Sequence, residues 1–323
     1  MNGELEVSFK EAAESWLVGA QKRKRRPMRP STVPTIRAAL DKYLFPVLGD
    51  LDLSAVHNGS VKKAVAAMHD AGLSPKTINT YTGVVKTVVA SVLDEESGEP
   101  VYHRKWRADI LDLPVIENQK QPCYKPEEIE GIISALPRLH PERVLYILLA
   151  STGLRISEAL GLERMKHLVK NSYRFVTIEQ QVDKFGKIVP WAKTRAGIRQ
   201  VDLHPDVSIL LKDYVIRSRK MGTGCDFLFP SRNGTPQLPR NLLRNLSEYT
   251  DSAFHAFRRF RESHLSEMSC NHDIKIYWMG HRAESMSELY SKLKEKVEVR
   301  QKEAERVGVG FDLNRYQIVK VAV

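Results

Sequence analysis

Cysteine is scarce in this sequence: three among 323 residues, at Cys123, Cys225 and Cys270. They are far apart, odd in number and form no C-x-x-C pair. Neither a zinc site nor a disulfide framework is expected, and a reducing, cytoplasmic setting suits them. Long apolar runs are missing too. No stretch reaches the roughly 18 residues that mark a membrane span. The opening MNGELEVSFKEAAESW lacks the basic-then-apolar order of a secretory signal. No membrane partner is therefore expected. There is no internal repeat and no low-complexity tract. Nor is there a carboxylate cluster of the kind a two-metal nuclease uses, so no metal site is assigned.

What is present is an ordinary globular balance, 42% hydrophobic and 28% charged, with a net charge of +11. The length favours two domains. The basic surplus favours a polyanionic partner, nucleic acid ahead of a membrane surface. It is unevenly spread. Residues 1–115 hold 16 basic and 14 acidic side chains, whereas the rest holds 34 and 25. One run, QKRKRRPMRPST at 21–32, concentrates Lys22, Arg23, Lys24, Arg25, Arg26 and Arg29. Clustered cations of this kind release counterions from DNA, although a solvated loop would look the same.

Residues 1–115 are expected to form a small helical bundle with its linker. Phe9, Ala12, Ala13, Trp16 and Leu17 recur at helical spacing. A second helix opens at Ser31-Thr32 and closes at Gly49. A third runs from Asn58 to Gly72. A fourth is capped by Ser74 with Pro75 in its first position. The start of that fourth helix carries Lys76, Thr77, Asn79, Thr80 and Tyr81, a polar set suited to phosphate or base-edge contacts. Four prolines between 95 and 126 mark a linker. A second domain, 116–323, begins with two apolar helices. The β-rich stretch 173–204 is expected to be a three-stranded antiparallel meander with turns at 184–187 and 194–197. Helices then continue to the end.

Four pieces of the second domain carry the chemistry. In TGLRISEAL, Gly153 ends a helix, Arg155 opens the next, and Glu158 shares its face. Lys193 lies on a β-turn, with Lys184 and Lys187 on the earlier turn as competitors. In HAFR, His255 and Arg258 share a helix face. In GHRAESMSELY, His281 follows a glycine stop and Tyr290 lies nine residues on. Each piece alone has an ordinary structural explanation: an ion pair, a solvated lysine, a core tyrosine.

Together they resemble the tyrosine recombinase, or phage integrase, family over roughly residues 8–295. TGLRISEAL is similar to its first arginine box, HAFR to its H-x-x-R box, and GHRAESMSELY to its terminal G-H and nucleophilic tyrosine. AKTRAGIR is similar, more loosely, to its hairpin lysine. The fold this implies is mainly α with a small antiparallel sheet: an N-terminal core-binding (SAM-like) bundle and an α+β catalytic domain.

The chemistry agrees. Two guanidiniums, Arg155 and Arg258, can neutralise the non-bridging oxygens of a phosphodiester and stabilise the pentacoordinate transition state. His281 adds a donor. Tyr290 is the nucleophile, His255 the candidate for its proton, Lys193 the acid for the leaving 5′-hydroxyl, and Glu158 an orienting residue. No cofactor is required.

The resemblance further implies a covalent 3′-phosphotyrosine, a Holliday junction and four protomers on two double-stranded DNA sites. It also implies a bacterial phage or mobile-element setting. The readings kept beside it are a Xer-like dimer resolvase, a type IB topoisomerase and a non-catalytic DNA-binding protein. The chain opens directly on the bundle, which argues against an arm-binding integrase. The 33 residues after Tyr290 are expected to be a helix and a strand-like end, tail 296–323, that docks on a neighbouring protomer.

Overall fold

The computed structural model describes residues 7–25, 27–117, 121–190, 197–220, 225–281 and 292–314. They form two compact units, Met1–Lys120 and Gln121–Val323. No described helix is long and apolar enough to cross a membrane.

The first unit is helical. Ser8 and Glu11 cap each other at the start of α1 (Phe9–Lys22), which buries Phe9, Ala12, Ala13, Trp16, Leu17 and Ala20. The second expected helix is interrupted. α2 (Val33–Ala39) passes through one π turn, Leu40–Leu44, into α3 (Phe45–Leu48). The turn falls just before Pro46, which has no N–H to continue an α-helical ladder. α4 (Asn58–Asp70) is capped by His57, whose Nδ1 accepts from Gly59 N at 3.1 Å. α5 (Pro75–Val89) starts as expected, with Ser74 Oγ accepting from Thr77 N.

Part of the expected linker is packed against this unit. Leu111, in α6 (Ala108–Leu111), is fully buried, and Tyr102, Trp106 and Leu113 pack on the same core. Arg104 donates to the carbonyls of Val56 and Ser54. Proline stops a helix, but it does not stop the aromatic and aliphatic residues between prolines from covering apolar surface.

The second unit is built around α8 (Pro141–Thr152), whose residues from Arg143 to Thr152 are all buried. α7 (Pro126–Ser134), α9 (Ile156–Leu160), α11 (Pro205–Lys220) and α13 (His255–Glu267) pack on it. α10 (Arg164–His167) follows α9. In place of the expected meander, two antiparallel ladders are present among the described residues. β1 (Phe175–Ile178) pairs with β4 (Arg199–Asp202), and β2 (Gln180–Val182) pairs with β3 (Ile188–Pro190). The break falls at Glu179, whose carboxylate reaches Lys166 Nζ at 2.5 Å and His167 Nε2 at 3.3 Å. α12 (Pro239–Leu246) and α14 (His272–Met279) follow, and α14 lies against β4.

α15 (Val297–Val307) also rests on β4, so this part of the expected tail packs on its own unit. Arg300 is fully buried and donates to Asp202 Oδ2 at 2.7 Å. Ala304, Val307, Val309 and Leu313 are buried in the same core. Arg261 donates to Gly308 O and Arg143 to Leu313 O. The described tail, 297–314, thus completes its own unit, because its apolar side chains and a buried cation find their partners there. Residues 315–323 lie outside the described residues.

Candidate active site

Two helix ends and one helix start converge. α8 stops at Gly153, which is left-handed at φ 69°, and this swings the chain so that Arg155 becomes the N-cap of α9. α14 stops in the same way at Gly280, φ 61°, and releases His281. α13 begins at His255 and carries Arg258 one turn on.

Arg258 is buried, and its guanidinium donates to Gly153 O at 2.8 Å and to Met279 O. One side chain therefore ties the loop ahead of Arg155 to the loop ahead of His281. Glu158 is fully buried. It accepts from Arg155 N and from Arg155 Nη1, both at 2.9 Å, while the Arg155 side chain stays 37% exposed. Glu158 thus holds one terminal nitrogen of the guanidinium. Arg155, Glu158, His255, Arg258 and His281 are brought together. Lys193 and Tyr290 lie outside the described residues.

The field at this site is positive. Burial lowers Arg258, and the neighbouring Arg155 charge lowers it further, to about 10. His255 is held below the usual imidazole value by desolvation and by Arg259, Arg258 and Arg155. His281 is held down by burial and by Arg258, against the opposing pull of Glu262, whose Oε1 is 3.8 Å from Nδ1. Both imidazoles are therefore biased to the neutral form. Burial alone would raise Glu158. The charges and hydrogen bonds of Arg199 and Arg155 outweigh it and bring Glu158 to about 2. A permanent anion thus braces Arg155, while Arg258 donates to backbone carbonyls. Guanidiniums can bind a phosphate through forked hydrogen bonds.

Arg199 is absent from the sequence-derived set. It lies inside the protein and grips both oxygens of Glu158 at 2.9 and 3.2 Å. The one sequence signal for it was its place beside Val201 on a strand. A charged residue in such a strand is ordinarily assigned to solvent. Tyr277 is buried, its hydroxyl accepts from Gln200 N at 3.1 Å, and burial raises its pKa. Tyr316 lies outside the described residues. Among the described residues no group of three His, Cys, Asp or Glu side chains could hold a metal ion.

In the first unit Lys22, Arg23, Lys24 and Arg25 are exposed, and Arg26 lies outside the described residues. At the head of α5, Lys76 is exposed and Thr77 shares a 2.9 Å hydrogen bond with Ser74. Asn79 donates to Pro114 O at 3.1 Å, and Tyr81 stacks on Tyr43 with ring centres 5.9 Å apart. Asn79 and Tyr81 thus make internal contacts. Of the competing lysines, Lys184 and Lys187 sit on the β2–β3 turn with Lys184 over the Phe185 ring.

The phage integrase family matches residues 124–296, more than half the chain. The chain belongs to the phage integrase family. This integrase is accordingly a tyrosine recombinase, a DNA strand transferase by family. Its fold is shared with solved structures. The Tn1549 transposon integrase in complex with transposon right end DNA is 21% identical, with a TM-score of 0.66, over 88% of this chain and 95% of that one. A lambda integrase dimer bound to a COC′ core site is 15% identical, TM-score 0.58, over 88% and 96%. XerH site-specific recombinase bound to a palindromic difH substrate is 15% identical, TM-score 0.55, over 87% and 90%. No curated protein matches the integrase in sequence.

Proposed function

We propose that this integrase cleaves and rejoins DNA at a specific site with Arg155, Arg258, His255, His281, Lys193 and Tyr290. The observation that carries the reading is the Arg155–Glu158 and Arg258–Gly153 bracing, which holds two guanidiniums within each other's field beside two neutral-biased imidazoles.

The scissile phosphodiester binds with its non-bridging oxygens on Arg155 and Arg258. His255 accepts the proton of the Tyr290 hydroxyl as its oxygen attacks phosphorus. The bond to the 5′-oxygen breaks, and Lys193 gives that oxygen a proton. A 3′-phosphotyrosine remains, with His281 donating to the phosphoryl oxygens. Rejoining reverses the step with a 5′-hydroxyl from the partner strand, so no external energy source is needed. The arginine pair neutralises the charge that grows at phosphorus, and an oxyanion donor of this kind contributes about 10²–10³-fold to rate.

The first unit, with the exposed run Lys22–Arg25, supplies a phosphate-contacting surface on the flanking duplex. Four protomers act together on two recombination sites through a Holliday junction, in the cytoplasm of a bacterium and in the service of a phage or mobile element. The solved lambda integrase tetramer bound to a Holliday junction supports that assembly. The C-terminal segment contributes a contact to a neighbouring protomer, as the family resemblance implies.

The test is a nicked suicide duplex drawn from DNA flanking the gene. Wild type forms an SDS-stable adduct and Tyr290→Phe forms none. An adduct that persists in Tyr290→Phe overturns the assignment of the nucleophile. Relaxation of site-free supercoiled plasmid by wild type would move the reading to a topoisomerase.

A further inference from the structure

Arg199 opens β4, and its charge is wholly enclosed. Its Nη2 and Nη1 donate to the two carboxylate oxygens of Glu158, at 2.9 and 3.2 Å. Its Nε donates to Trp278 O at 2.8 Å. Glu158 in turn carries Arg155 by backbone and side chain. Trp278 O lies one residue before Met279 O, the acceptor of Arg258, and three before His281. The fit allows little slack. A Cβ on Gly280 would lie 3.1 Å from the Arg199 guanidinium, which would have to give by a few tenths of an ångström. A buried ion pair contributes little net stability compared with well-packed apolar residues. Two rigid forks meeting face to face do fix position and direction.

We propose that Arg199 is a positioning residue of the phosphate clamp, fixing Glu158 behind Arg155 and the Trp278–Gly280 turn behind Arg258 and His281. This rests on the reading that Arg155 and Arg258 hold the scissile phosphate. Arg199 touches no substrate. It acts by setting where two guanidiniums and an imidazole stand, and displacement by about 1 Å can cost roughly 10²-fold in rate.

Glu158 supplies a second signature. The charged groups facing it are Arg155 on its own turn, Arg199 from β4 and Arg258 from α13. Without Arg199, Glu158 loses its largest compensating charge and protonates at a higher pH. Arg155 is then released as pH falls.

The experiment measures adduct formation on the nicked duplex, with the scissile phosphate either native or replaced by a neutral methylphosphonate. In Arg199→Met the native rate falls about 10²-fold with DNA affinity unchanged. The deficit shrinks on the methylphosphonate, where one guanidinium has less charge to neutralise. Adding Arg155→Ala to Arg199→Met slows cleavage no further than Arg155→Ala alone, as expected of residues acting as one unit. Arg199→Met also gains a second acid limb, added to the imidazole-dependent decline of wild type, and Arg199→Lys recovers part of the rate. Should Arg199→Met fail to fold, the double variant Glu158→Gln/Arg199→Met removes the stranded charge and is expected to be folded, equally slow and free of the added limb. A folded Arg199 variant that cleaves at the wild-type rate overturns the proposal. So does a deficit equal on both substrates and additive with Arg155→Ala, which would mark a merely structural cross-link. Wild-type cleavage by Arg155→Ala instead overturns the underlying reading of the clamp, and this proposal with it.

Discussion

The guanidinium of Arg258 donates to the carbonyl of Gly153 at 2.8 Å, two residues ahead of Arg155. The second arginine of the site is thus a strut for the first, through a backbone turn that needs Gly153 in its left-handed form. A lysine at 258 has a point charge and no fork. Arg258→Lys is expected to lose about 10²–10³-fold in adduct formation with little change in DNA affinity. Equal losses in both would contradict this.

The pH profile follows from the imidazoles. Desolvation and neighbouring guanidiniums place His255 and His281 below their ordinary value of 6.5. The neutral form is the one that can accept the Tyr290 proton. Activity is therefore full above that value and is lost as pH falls through the depressed pKa. Adduct formation should be flat near neutrality and decline only in mild acid. His255→Ala should flatten that limb at a much lower rate.

Gly280→Ala tests the close approach at the turn. The left-handed backbone costs about 1–2 kcal/mol for a residue with a Cβ. The new methyl would also press on Arg199. A lower melting temperature together with slower cleavage is expected. Loss of stability with an unchanged cleavage rate would separate the turn from the site.

Asp202 holds both Trp278 Nε1 and Arg300 Nε at 2.7 Å in the core. Asp202→Ala strands a buried cation and should cost about 3–5 kcal/mol, read by urea unfolding. The pair Asp202→Leu/Arg300→Met should recover most of it. Deleting 315–323 should weaken tetramers on DNA. Intact assembly would mean that the end of the chain carries no contact between protomers.

The local signals in the sequence were informative. Ser74-Pro75, Gly153 and Gly280 act within a few residues of themselves, so their caps and stops were legible. The grouping of Arg155, His255, Arg258 and His281 was legible through the resemblance of their motifs to the family. What escaped was non-local. Trp106 and Leu111 join a core whose other buried members run from Phe9 to Val89, and Glu179 leaves its strand for Lys166 and His167. The basic surplus was misleading in one respect. Arg143, Arg164, Arg199, Arg258, Arg261 and Arg300 are buried, so part of the charge counted toward a DNA-facing surface instead supports carbonyls and two buried carboxylates, Glu158 and Asp202.

The central claim is that Tyr290 attacks the phosphate held by Arg155 and Arg258. The most direct measurement is peptide mapping of the SDS-stable adduct after protease and nuclease digestion. The residual nucleotide is expected on Tyr290 and linked through a 3′-phosphate. A nucleotide on Tyr277, on Tyr316, or attached through a 5′-phosphate would contradict it.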